Sequence, residues 1–95
     1  MNESTLLEKI NETGYMLYQN REQEGIAAVA ELLSLFQNMI KTQTESQMAE
    51  GGAFALVMLR ELLEAYQSQD MLGMADCLME KSVLFVQFYF RQAEK

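Results

Sequence analysis

Histidine, tryptophan and proline are absent from this sequence of 95 residues, and cysteine occurs once, at Cys77. Each absence excludes something. Histidine is the usual general base at neutral pH and the commonest side-chain ligand of transition metals. Without it, Ser-His-Asp and Cys-His nucleophiles cannot be assembled, nor can zinc-protease sites or the Glu-x-x-His pairs of helical di-iron proteins. One cysteine forms neither an internal disulfide nor a multi-cysteine zinc site, and a lone reduced thiol suits the cytoplasm. Proline is kept out of helix interiors and favoured in the turns of β folds, so its absence points to helices. Glycine is sparse: Gly14, Gly25, Gly51, Gly52 and Gly73.

Positive charge is also scarce, with 7 Lys+Arg against 14 Asp+Glu and a formal net charge of -7. The basic residues are scattered, with no cluster. Nucleic-acid binding requires phosphates to be neutralised by Lys and Arg, so no nucleic-acid partner is expected, and an anionic membrane surface is disfavoured for the same reason. The densest apolar run, Val83 to Phe90, is interrupted by Gln87 and too short to span a bilayer, so no membrane insertion is expected. Met1 to Thr5 lacks the basic and apolar regions that open a signal peptide. These features together predict a cytoplasmic protein.

What is present favours helices. Apolar residues make up 49% of the chain, enough for one domain over residues 1–95 to bury a modest core. Glu, Gln, Leu, Met and Ala dominate, and all are good helix formers. The reading is all-α, with helices over about residues 3–20, 23–42, 47–67 and 70–92.

Ser4 or Thr5 is the candidate cap of the first helix, and Leu6, Ile10 and Leu17 form its stripe. The second helix places Ile26, Val29, Leu33, Phe36 and Ile40 at alternating spacings of three and four, the seam of a bundle helix. A polar connection offers Thr44 or Ser46 as the next cap. Ala55, Leu59, Leu62 and Tyr66 form the inner stripe of the third helix, flanked by Phe54, Leu56, Met58 and Leu63. Gly51-Gly52 reads either as a turn or as small residues where another helix crosses. Asp70 caps the fourth helix, whose stripe is Met71, Ala75, Leu78, Ser82, Phe85 and Tyr89.

Short connections make sequential helices antiparallel, so the expected architecture is an antiparallel up-down-up-down four-helix bundle. Fusing the second and third helices would give a three-helix alternative. A weak repeat sets Tyr18-Gln19-Asn20 opposite Tyr66-Gln67-Ser68, as two helical hairpins of similar design would.

Candidate chemistry is thin. Glu61 with Glu64, and Asp76 with Glu80, are carboxylate pairs at helical spacing, but no histidine accompanies them and no calcium-loop pattern is present. They read as a solvated helix face. Cys77, beside Asp76 and near Glu80, lacks the electropositive setting of a reactive thiol and reads as a small buried apolar group. No catalytic residue, metal or cofactor is therefore expected.

The informative segment is Val83–Phe90. Its apolar side chains surround nearly the whole helix, whereas a helix packed on one side hides only a stripe. Leu84 and Phe88 fall outside the inner stripe, on the edge that carries Cys77 and Lys81. Such a surplus marks a subunit interface or a groove for another helix. The candidate partner-binding residues are Met74, Cys77, Leu84 and Phe88.

Two segments carry a family resemblance. One is the helix from Tyr18 to Ile40, with its Gln23-Glu24-Gly25-Ile26 start. The other is Asp70-Met71-Leu72-Gly73-Met74-Ala75-Asp76-Cys77-Leu78. In outline the chain resembles small acidic helical-bundle proteins of the bacterial flagellar export-chaperone type, although such chaperones are typically longer. The resemblance implies a client-binding helical adaptor with no catalytic residue. The expected function is a non-enzymatic, chaperone-like interaction module that binds an amphipathic helix of a client protein. The alternative is a structural homodimer that consumes its apolar surplus by self-association.

Overall fold

In a computed structural model, residues 2–43 and 45–93 are described. Among them there is no strand, so the chain is all-α. Helix α1 spans Glu3–Tyr18. Its cap is Asn2, whose Oδ1 accepts from the Thr5 amide at 2.8 Å. Ser4 and Thr5 lie within the first turn instead of capping it, because Asn2, at least as good a cap, precedes them.

The end of α1 falls short of residue 20 for a specific reason. Asn20 takes a left-handed conformation at φ 59°. Its amide donates to Leu17 O at 3.2 Å, and the Arg21 amide reaches back to Met16 O at 2.9 Å. This is a Schellman turn, which satisfies the last carbonyls and stops the helix. Helix α2 then spans Glu22–Lys41.

Helix α3 spans Glu45–Gln67, beginning before the predicted start and placing Gly51-Gly52 inside the helix. Helix α2 ends at Lys41 and neither Thr42 nor Gln43 is helical, which removes the three-helix alternative. Ser46 lies within α3 and is not its cap. The other candidate cap, Thr44, falls outside the described residues. The end of α3 repeats that of α1. Gln69 is left-handed at φ 56°, its amide meets Tyr66 O at 3.2 Å, and the Asp70 amide meets Ala65 O at 2.9 Å. The backbone therefore sets Asn20 opposite Gln69, one residue on from the Asn20–Ser68 pairing of the sequence repeat.

The fourth helix is not uniform. It consists of α4 (Met71–Cys77), a π-helical stretch (Leu78–Ser82) and α5 (Val83–Ala93). The Val83 amide bonds Leu78 O, five residues back. Asp70 is its N-cap, as expected, accepting from the Gly73 amide at 2.9 Å. The wider turn accommodates one extra residue, and beyond it both Phe85 and Val86 are fully buried.

Helix α1 packs on α2 and on the fourth helix, and α3 packs on the same two. The core they share contains Leu6, Ile10, Leu17, Val29, Leu32, Phe36, Met58, Leu62, Leu78 and Phe85. Phe36 and Phe85 meet edge to face, with centroids 5.7 Å apart.

The predicted stripes are displaced in two helices. In α2, Ile26 and Ile40 are half-buried, while Gly25 and Leu32 are buried. Gly25 lets Leu17 pack onto the α2 backbone, since a Cβ there would come within 2.8 Å of Leu17 Cδ2. In α3, Leu59 and Tyr66 are half-buried, and Met58, expected as a flank, is fully buried. No helix among the described residues is long and apolar enough to cross a membrane.

Candidate interaction surface

Of the four partner-binding candidates, the structure leaves two accessible. Met74 is 0% exposed and Cys77 is 7% exposed, so neither is part of an exposed apolar patch, although Cys77 borders an acidic depression between α3 and α4. Both positions fall on the side of the fourth helix that faces the other helices, where apolar side chains escape water. Cys77 Sγ lies 3.5 Å from Met58 O, to which it donates. Burial, then the negative charge of Glu61, pushes the thiol from 9.0 up to about 11, so it stays protonated and unreactive at neutral pH.

Ser82, five residues on, is fully buried, and its Oγ has no hydrogen-bond partner of ordinary geometry. The adjacent Cys77 thiol offers it only a weak sulfur contact. Thr13 of α1, buried like Ser82, is satisfied by donating to Lys9 O at 2.7 Å.

Leu84 and Phe88 do come together. Leu84 is 56% exposed and Phe88 is half-buried. With Gly51 and Phe54 of α3 they line an open furrow of about 330 Å³ between α3 and α5. Gly51 makes this approach possible. A Cβ placed there would overlap the Phe88 ring, so the glycine lets the ring lie across the α3 backbone. Of the two readings of Gly51-Gly52, the close crossing is the one observed. Arg91 borders the far end of the furrow.

Toward α4 the same interhelical face changes character. Lys81 and Glu61 form an ion pair that ties the π-helical stretch to α3. The pair raises the lysine pKa, mainly through the hydrogen bond from its ammonium to Glu61. Beyond it lies a depression of about 380 Å³ lined by Glu61, Glu64, Asp70, Asp76, Glu80 and Lys81. Tyr18 of α1 donates to Asp76 Oδ1 at 3.0 Å, and this bond raises the phenol pKa. Among the described residues no group of three or more potential ligands is arranged to hold a metal ion.

Sequence reasoning identified Leu84 and Phe88 but missed Phe54 as part of the same surface. The available signal was Gly51-Gly52 within a helical pattern, since a glycine that costs helix stability usually admits a neighbour. Compared with known protein families, curated proteins and solved structures, the chain matches none.

Proposed function

We propose that this chain is a non-enzymatic protein-interaction module, chaperone-like or adaptor-like, that seats an amphipathic helix of a client in the α3–α5 furrow. One observation carries the reading: Leu84, 56% exposed, stands beside Phe54, 38% exposed, over the Phe88–Gly51 crossing. Single exposed apolar residues are ordinary, but adjacent ones lining a furrow between helices fit helix-in-groove recognition. Leu84 and Phe88 would touch the client, while Met74 stays in the core and Cys77 borders the acidic depression, away from the furrow.

The frame would be an antiparallel up-down-up-down bundle. Three facts support it. Lys9 of α1 pairs with Glu31 of α2 at 2.5 Å, and Leu17 lies against Gly25, so rising numbers on α1 meet falling numbers on α2. Gly51 meets Phe88 while Glu61 meets Lys81, the same relation for α3 and the fourth helix. The 20 residues of α2 and 23 of α3 are about 30 to 35 Å long at 1.5 Å per residue, close to the longest molecular dimension of 39 Å. Such a frame, with the acidic composition and the resemblance to flagellar export chaperones, favours a cytoplasmic, bacterial role in motility or secretion.

A second reading, a structural homodimer, draws on Leu56 and Val57, which are 52% and 37% exposed and widen the apolar surface of α3 beyond one furrow. Leu84→Glu separates the possibilities because an exposed side chain tolerates the change without unfolding. The expected result is a stably folded, monomeric variant that no longer captures the partners of the wild type. An unchanged set of captured partners rejects the surface. Light scattering that finds a concentration-independent wild-type dimer, dissociated by Leu84→Glu, favours the homodimer.

A further inference from the structure

The furrow and the acidic depression both lie between α3 and the fourth helix, and the Glu61–Lys81 pair borders the depression. Leu84 and Phe88 lie four to eight residues along the fourth helix from Glu80, or about 6 to 12 Å at 1.5 Å per residue. A helix lying over Leu84 and Phe88 and continuing toward α4 therefore passes over the carboxylates within one to two turns of its apolar anchors.

Charge decides what that continuation must carry. The depression holds five carboxylates against one ammonium, and that ammonium, Lys81, is already bound to Glu61. Asp70 is engaged as a helix cap and Asp76 by Tyr18. Among the described residues Glu64 and Glu80 form no ion pair. The carboxylates do not converge on a point that a metal could occupy. Spread along a face, they match several cationic side chains better than one ion. A second copy of this chain is a poor occupant of this half, since it brings the same carboxylates and a net charge of -7.

We infer that the occupant is a basic amphipathic helix of another protein, with apolar anchors on Leu84 and Phe88 and Lys or Arg one to two turns away over Glu64 and Glu80. This deepens the proposed function and rests on it. The apolar half supplies affinity by burial, and the acidic half fixes direction and register.

The test uses two synthetic helical peptides of about 16 residues, long enough to cover a face of about 20 Å. Both carry the same leucine anchors. One has two lysines a turn or two beyond them, and the other has two glutamates there. Binding to the full chain is followed by fluorescence anisotropy at about 50 and 300 mM NaCl.

The lysine peptide is expected to bind about tenfold more tightly at low salt, with the preference shrinking at high salt. Glu64→Gln/Glu80→Gln should remove most of the preference. Glu8→Gln/Glu12→Gln on α1, an equal change in net charge, should leave it. Leu84→Ser should weaken both peptides. Equal binding of the two peptides, each weakened by Leu84→Ser, overturns the basic-partner inference and leaves the furrow reading standing. A preference that both glutamate pairs reduce equally also overturns the inference, because net charge then explains it. Lysine-peptide binding untouched by Leu84→Ser, or no binding of either peptide, overturns both.

Discussion

Two successive helix pairs, α1 with α2 and α3 with the fourth helix, share a turn and are finished differently. Each ends its first helix in the same left-handed turn, at Asn20 and at Gln69. Each then sends one phenylalanine, Phe36 or Phe85, to the contact between them. Their surfaces diverge. The large apolar residues exposed on α1 and α2 are Tyr15 and Tyr18, both on α1 and each carrying a polar hydroxyl. The second pair exposes Phe54, Leu56, Val57, Leu72, Met79 and Leu84. The first pair has spent its apolar residues on the core, and the second has a surplus. A surplus confined to one of two similar units is a local feature of that unit, not a cost of the fold.

The comparison can be broken most forcefully at the shared core. Phe36→Ala and Phe85→Ala should each cost about 3 to 5 kcal/mol, and the double variant less than their sum, since the rings touch. Urea denaturation measures all three. Strongly unequal losses would show that the two helix pairs do not share the core evenly.

A second difference is chemical. Only the second helix pair buries a thiol, and the folded state holds its proton up to about pH 11, whereas the unfolded chain releases it near 9.0. Stability from this group is therefore full below about pH 9 and is lost as pH climbs toward 11. The loss is on the order of 2 to 3 kcal/mol. Tyr18 and Lys81, also raised, add to it only above 10.0 and 10.5. Denaturant midpoints across this range should fall for the wild type, with the first part of the fall missing in Cys77→Ala.

The smallest expected effect compares the two turns. Asp70 caps the fourth helix with its side chain, whereas Arg21 makes no side-chain cap for α2. Asp70→Ala should cost about 1 kcal/mol, and Arg21→Ala should fall within about 0.5 kcal/mol of zero. Thermal melts of the two variants decide it, and equal losses would mean that the Asp70 bond contributes nothing.

The sequence made the helices legible because their signals are local and repeated. Missing proline, strong helix formers and alternating spacings of three and four all point one way. The Asp70 cap was equally readable. Features that arise between helices were not. Gly25 replaced Ile26 on the buried face because Leu17 packs there, and no pattern within α2 announces Leu17. Met58 entered the core in place of Leu59 because the roll of α3 is set by its neighbours. The π-helical stretch escaped because an uninterrupted helix and one with an extra residue have the same composition. At the surface, the excess around Leu84 and Phe88 could be counted from the sequence. Its other wall, Phe54, required knowing that Gly51 lies beneath Phe88.

The position of Gly51 has a consequence for the order of α3. Two adjacent glycines lower intrinsic helix stability by roughly 1 kcal/mol each relative to alanine, close to the start of a helix that begins at Glu45. Contact with the Phe88 ring offsets that loss from outside. Amide protons in the opening turns of α3 should therefore exchange with solvent faster than those around Leu62, at a rate set by how firmly Phe88 is seated. Whatever presses on that ring from the furrow tightens the start of α3 as well, making the slowing of these amides a sign of occupancy.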